Sequence, residues 1–185
     1  VNNINLNSNL CKNKLNNRPQ NIRAIRVKLR KKSKIMVREI KVLKKYSINN
    51  RKDSSLYKQN INDNFKVAAI MDKFSYECFK YECDLIYLNP FNWKRKLRIE
   101  KPEILFVESL WEGIDGSWRN KILDLKKNGD KTLKSIIKWC NENNIITVFW
   151  NKEDPIHYRR FIEAAKLFDI VFTTDLNCVK KYKID

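Results

Sequence analysis

Five short apolar runs separated by stretches of helical periodicity constrain this chain more than any other feature. They are FKVAAI at 65–70, LIYL at 85–88, ILFV at 104–107, IITVFW at 145–150 and IVFTT at 170–174. Each is strand-length and lacks the polar alternation of a half-exposed strand. Such runs are expected where a parallel sheet is covered on both faces. Between them, residues 91–100, 131–143 and 157–168 repeat their apolar positions at helical spacing, with a shorter helix predicted over 75–82 and Pro90 placed as a first-turn proline. Strands alternating with helices build right-handed βαβ units, hence a Rossmann-like, doubly wound α/β sheet of about five parallel strands. In such sheets ligands bind beyond the C-terminal strand ends, where the strand order reverses.

The charge distribution separates this domain, 65–185, from what precedes it. The 185 residues carry a formal charge of +18, with 17 Lys and Arg against 3 Asp and Glu in residues 1–64. The extension therefore holds most of the excess, and the argument for an anionic partner, nucleic acid or membrane, attaches to it rather than to the fold. Residues 1–20 are Asn- and Lys-rich and read as disordered, 47–63 as a linker. Across 22–46, Ile25, Leu29, Ile35, Ile40 and Leu43 recur near helical spacing among basic residues. That pattern predicts a cationic amphipathic helix, suited to an anionic membrane surface or to serving as a connector. Only Tyr46 and Tyr57 supply aromatic side chains there, which disfavours single-strand nucleic-acid binding. The five cysteines show no CxxC spacing, no apolar run is long enough to span a bilayer, and no signal peptide is recognisable. The expectation is a cytoplasmic protein, either free or peripheral to a membrane. The first residue, Val1, and the abrupt end at Asp185 read as the ends of a piece of a longer chain.

The loops after the strands carry the candidate chemistry. After the first run, Met71-Asp72-Lys73-Phe74-Ser75 contains no glycine, so the GxGxxG dinucleotide fingerprint is missing and no nucleotide cofactor is expected in this domain. After the third run, Glu108, Trp111 and Trp118 stand among glycines, carboxylates and an arginine. Rings that stack on pyranose faces beside carboxylates that accept hydroxyl hydrogen bonds suit a sugar, although both tryptophans could equally pack beneath the loop. After the fourth run comes Asn151-Lys152-Glu153-Asp154-Pro155-Ile156-His157-Tyr158. His157 is expected to open the next helix, where the positive dipole end favours a neutral imidazole able to accept a proton. Asp154 is read chiefly as that helix's N-cap with Pro155 in its first turn, and Asp175 as another N-cap. No metal site is predicted, since HExxH and paired-histidine spacings are absent, and no serine or cysteine nucleophile motif occurs.

Four strings, Asp72-Lys73-Phe74-Ser75-Tyr76-Glu77-Cys78-Phe79, Phe106-Val107-Glu108-Ser109-Leu110-Trp111, Gly116-Ser117-Trp118 and Val148 through Tyr158, together resemble the N-terminal domain of CgeB-like bacterial glycosyltransferases. The run from Phe168 to Asp175 fits the same pattern, and the resemblance covers the last two-thirds of the chain. It implies the N-terminal half of a GT-B enzyme, two Rossmann-like domains facing across a cleft, acting in cell-envelope, spore-coat or related glycan synthesis. In that arrangement this half holds a sugar or glycan acceptor, while a C-terminal domain binds the nucleotide-sugar donor without a bound metal. The 185 residues contain no donor half, so the fragment alone is expected to be inactive. By the same analogy a catalytic base comes from the cleft loops, with His157, Glu153 and Asp72 as candidates. Glu108, Trp111, Trp118, Asn151 and Lys152 are the candidate acceptor contacts.

Two other classes compete. One is a non-catalytic binding module whose basic arm grips nucleic acid or an anionic membrane, with the α/β domain as scaffold. The other is a phosphoacceptor receiver domain, in which Glu108 would stand where an aspartate is required.

Overall fold

The computed structural model describes residues 24–26, 66–127 and 130–184. All the predicted strands form. They are β2 (Lys66–Ile70), β3 (Asp84–Tyr87), β4 (Ile104–Glu108), β5 (Ile146–Asn151) and β6 (Ile170–Thr173), and a three-residue β1 (Ala24–Arg26) precedes them. The helices are α1 (Lys73–Phe79), α2 (Trp93–Glu100), α3 (Thr132–Glu142), α4 (Tyr158–Ala165) and α5 (Leu176–Ile184). Every strand pair is parallel, in the order β1-β6-β5-β4-β2-β3. The fold is thus α/β and Rossmann-like, and its chain order reverses at β2, whose neighbours are β3 and β4.

Period-two alternation within the strands explains why the apolar runs lack polar positions. Ala68, Ile70, Leu105, Val107, Phe149 and Val171 face one core, joined by Leu97 of α2, Leu133, Ile136 and Cys140 of α3, Phe161 and Ala165 of α4, and Cys178 and Tyr182 of α5. Their strand neighbours Val67, Ala69, Ile104, Phe106, Val148, Trp150 and Phe172 face the other core with Phe79 of α1. Both faces of the interior strands are buried, so their runs are apolar, whereas the edge strand β3 is only partly covered and begins on exposed Asp84. Phe79 meets Phe106 edge-on at 5.2 Å, and Phe106 stacks on Trp150 at 6.4 Å. The described cysteines, Cys78, Cys83, Cys140 and Cys178, are free thiols. No described helix is long and apolar enough to cross a membrane.

Several local expectations need correction. Residues 24–26 are not the start of a helix: Ala24, Ile25 and Arg26 pair with Val171, Phe172 and Thr173 at the edge of the sheet. The rest of the predicted 22–46 helix lies outside the described residues, as do 1–20 and 47–63. An unpaired edge at β6 offers backbone donors and acceptors, and that demand outweighs helical periodicity in three residues. Pro90 lies before α2 rather than in its first turn, because Asn92 occupies the N-cap position. Helix α4 begins at Tyr158, one residue later than predicted, with His157 in the N-cap position but making no side-chain cap bond. Asp175 does cap: its carboxylate accepts the Asn177 N–H at 2.8 Å. The sequence marks the start of helix α5 through Asp175 but not its span, since isolated apolar residues among lysines carry little periodicity.

Candidate functional site

The turn from β2 into α1 places Asp72 at the strand-order reversal. Asp72 is the N-cap of α1, and one carboxylate oxygen accepts the Ser75 N–H at 2.8 Å. Next to it, β4 ends on Glu108, whose Oε1 accepts the Asp72 backbone N–H at 2.5 Å. From the loop after β5, Lys152 reaches across both: its Nζ donates to Asp72 Oδ2 and lies 3.1 Å from Glu108 Oε1. Three residues far apart in sequence thus form one carboxylate–ammonium–carboxylate cluster beyond the C-terminal ends of β2, β4 and β5.

Burial differentiates the two acids. The Glu108 side chain is fully buried, whereas that of Asp72 is 36% exposed. Burial, only partly offset by Lys152 and reinforced by the nearby Asp72 charge, pushes the Glu108 carboxyl up to about 7. Its Oε2 is buried without a hydrogen bond of good geometry, the Ser75 hydroxyl being a polar neighbour. For Asp72, partial burial acts upward, but hydrogen bonds from Lys152 and Ser75 outweigh it and hold the carboxyl below its ordinary value. Burial works against the Lys152 ammonium, yet Glu108 and Asp72 together raise its pKa. The cluster therefore keeps one firm ion pair and one acid poised near neutrality.

A second polar network fixes the loop that carries Lys152. Buried Ser109 uses its Oγ to accept the Lys152 N–H at 2.9 Å and the Glu153 N–H at 3.3 Å. Asp154 is buried and accepts from Asn151 Nδ2 at 2.8 Å, from Thr173 Oγ1 at 2.5 Å and from the Tyr182 hydroxyl at 2.9 Å. Burial raises the Asp154 pKa, with the Thr173 and Tyr182 bonds opposing it. Asp154 is therefore not the α4 N-cap that its position before Pro155 suggested. It anchors the loop to β6 and α5 instead, with the Asp154–Pro155 peptide bond cis. Thr174 Oγ1 completes the anchorage by donating to the Asp154 carbonyl oxygen at 3.0 Å.

The structure brings some candidates together and disperses others. Asp72, Glu108 and Lys152 meet. Asn151 is fully buried, its amide committed to Asp154 and Tyr182, so it supports the loop and offers nothing to a ligand. Trp118 is likewise fully buried and donates its indole N–H to the Leu88 carbonyl oxygen at 2.8 Å. The reading of Trp118 as packing beneath its loop is the correct one. Trp111 is different: it is 37% exposed, with the His157 ring edge-on at 5.1 Å and the Arg160 guanidinium 4.8 Å from its ring centre. His157 thus belongs to a Trp111–His157–Arg160 group. Glu153 is half-buried, and its carbonyl oxygen accepts the His157 N–H at 3.0 Å. Among the described residues, no three His, Cys, Asp or Glu side chains converge in a way that could hold a metal ion.

Ser109 and Tyr182 escaped sequence reasoning. A serine two positions beyond the apolar run 104–107, next to Glu108, is a usable signal for Ser109. Tyr182 stands four residues from Cys178, on the same helical face.

Fold and cluster together define a Rossmann-like α/β domain with a titratable group at its strand-order reversal. Compared with known proteins, the sequence matches no family model, and no curated protein matches it significantly.

Proposed function

We propose that this domain is the acceptor-side half of a GT-B-type glycosyltransferase, a transferase whose sugar comes from a nucleotide-sugar donor held by a second domain. The observation that carries the reading is the convergence of Asp72, Glu108 and Lys152. Each comes from a different one of the strings that resemble CgeB-like enzymes, and all three stand where doubly wound sheets receive ligands. In the transfer the acceptor hydroxyl loses its proton to a base, its oxygen bonds to the anomeric carbon, and the nucleotide leaves with the bonding electron pair.

The acids of the cluster suit different parts of that task. Asp72 is half-buried and ionised, and so presents acceptor oxygens to sugar hydroxyls, but its lowered pKa makes it a weak base. Glu108 has basicity suited to neutral pH but is covered. His157 stands beside Trp111, whose exposed ring is a stacking surface. Saturation-transfer and chemical-shift NMR of the 185-residue chain with a panel of monosaccharides and methyl glycosides tests the proposal. Shifts clustered at Asp72, Lys152 and Trp111 are expected, and they should vanish in Asp72→Asn combined with Trp111→Ala. A uniform absence of response across the panel would remove the acceptor-binding role.

A further inference from the structure

One face of the sheet holds more covered apolar surface than its described helix accounts for. Helices α2, α3, α4 and α5 all pack on the face that carries Ala68, Leu105, Phe149 and Val171. On the opposite face, α1 is the only helix among the described residues. It meets the sheet through Phe79, whose ring lies 5.2 Å from Phe106 and 6.1 Å from Trp150. A helix of seven residues is roughly 10 Å long and, with its side chains, about as wide, which amounts to some two strand spacings. This face crosses five strands, from Leu85 on β3 to Ile170 and Phe172 on β6. At its β5–β6 end Val148 and Phe172 are nonetheless fully buried, and Ile170 is only 9% exposed. A second segment of chain is needed over them.

The connectivity of the sheet identifies that segment. All strands are parallel, in the order β1-β6-β5-β4-β2-β3, and crossovers between parallel strands of one sheet are right-handed in about 98% of cases. With the hand fixed, the direction of a step along the sheet decides which face its connection crosses. The steps from β3 to β4, β4 to β5 and β5 to β6 run toward the β1 edge, and their helices α2, α3 and α4 share one face. The step from β2 to β3 runs the other way, and α1 lies on the other face. The step from β1 to β2 runs in the same direction as β2 to β3, so its connection belongs on the α1 face, passing over β6, β5 and β4. That connection is residues 27–65, between Arg26 and Lys66. Its length exceeds the dozen or so residues that a parallel crossover requires. Its sequence supplies apolar side chains, with Met36, Ile40 and Leu43 recurring at i, i+4 and i+7. We propose that residues 27–65 of this chain cover the β5–β6 end of the α1 face, packing on Val148, Ile170 and Phe172. The stretch between β1 and β2 is then part of the domain core rather than a detachable basic arm. This inference does not depend on sugar transfer.

Methyl-labelled NMR of the 185-residue chain tests it, at a concentration where sedimentation velocity shows a monomer. Nuclear Overhauser contacts are expected from the Val148 and Ile170 methyl groups to methyl groups within residues 27–65. A soluble paramagnetic agent should leave Val148 and Ile170 as well protected as Val171, which faces the opposite core. The combined variant Ile40→Asp, Leu43→Asp is expected to abolish those contacts and to raise paramagnetic broadening at Val148 and Ile170 several-fold, with Val171 unchanged. The wild-type contacts decide the matter even where the variant fails to fold. Val148 and Ile170 methyl groups that contact nothing within 27–65 and broaden freely in the monomer would overturn the proposal. So would protection that appears only as the chain dimerises, since a second copy would then cover the face.

Discussion

Lys152 and Glu108 are linked at 3.1 Å although 44 positions separate them, and the glutamate is fully buried while the lysine keeps an outlet to solvent. The pair joins the end of β4 to the loop after β5. Replacing Lys152 with methionine removes the only cation placed between Glu108 and Asp72 by this cluster. The expected cost is roughly 3 kcal/mol at neutral pH, the lower end for breaking a buried pair, because Asp72 is partly solvated. The loss should shrink in acid as Glu108 takes up a proton. Urea unfolding of wild type and variant across pH measures both.

Glu108 itself imposes a pH dependence of calculable sign. Its carboxyl is raised from 4.5 to about 7 in the folded chain, so between those values the folded state binds more protons than the unfolded one. Stability contributed by this group is therefore full below about pH 4.5 and is lost as pH rises toward 7, by an amount on the order of 3 kcal/mol. Glu108→Gln should flatten the stability profile in that window relative to wild type. Identical profiles for the two proteins would show that Glu108 titrates normally.

Tyr182→Phe deletes one hydroxyl that donates to Asp154 at 2.9 Å and accepts from Asn151 at 2.7 Å. Asp154 and Asn151 are buried and cannot turn to water, so a cost of about 1–3 kcal/mol is expected from the unsatisfied groups. Chemical denaturation gives the value. In NMR spectra the effect should reach Lys152 and Glu153, since the loop is anchored through Asp154.

The two described glycines with positive φ should respond unequally to alanine. Gly113 has φ +77°, and a Cβ there would stand 2.9 Å from the Tyr87 hydroxyl and 3.1 Å from Trp118 Cδ1. Gly116 has φ +74° but open space around it. Gly116→Ala is expected to cost about 1 kcal/mol from backbone strain alone. Gly113→Ala should cost more, because the buried indole has no room to retreat. Thermal melts of the two variants make the comparison.

The tryptophans of the same loop offer a parallel contrast. Trp118→Phe loses the bond to the Leu88 carbonyl and leaves that buried oxygen unpaired, an expected cost of about 1–3 kcal/mol. Trp111→Ala should destabilise less, since its ring is partly in solvent, and should instead remove the stacking surface for a sugar. Equal destabilisation would mean that both rings are structural.

The strands were legible because burial on both faces forces continuous apolar runs, and that signature survives without any knowledge of partners. Asp72, Glu108 and Lys152 were all recognisable as strand-end residues worth attention. Their association was not, since the roles given to them were split between base and acceptor contact. Asn151 and Trp118 looked functional for a related reason: a polar or aromatic residue in a loop reads as available until neighbours bury it. Asp154 before a proline looked like a cap, and its true partners, Thr173 and Tyr182, lie 19 and 28 positions away.

By itself the sequence determined the α/β class, the five core strands, the lack of a glycine-rich phosphate loop and the concentration of polar residues at the strand ends. These follow from local composition and periodicity, which act along the chain. Only the tertiary structure decided that β2, β4 and β5 lie side by side, that Lys152 bridges Asp72 and Glu108, and that Trp118 is core while Trp111 is surface. Strand order, burial and charge pairing are long-range quantities. A carboxylate's pKa or a ring's exposure is set by atoms that only folding brings near.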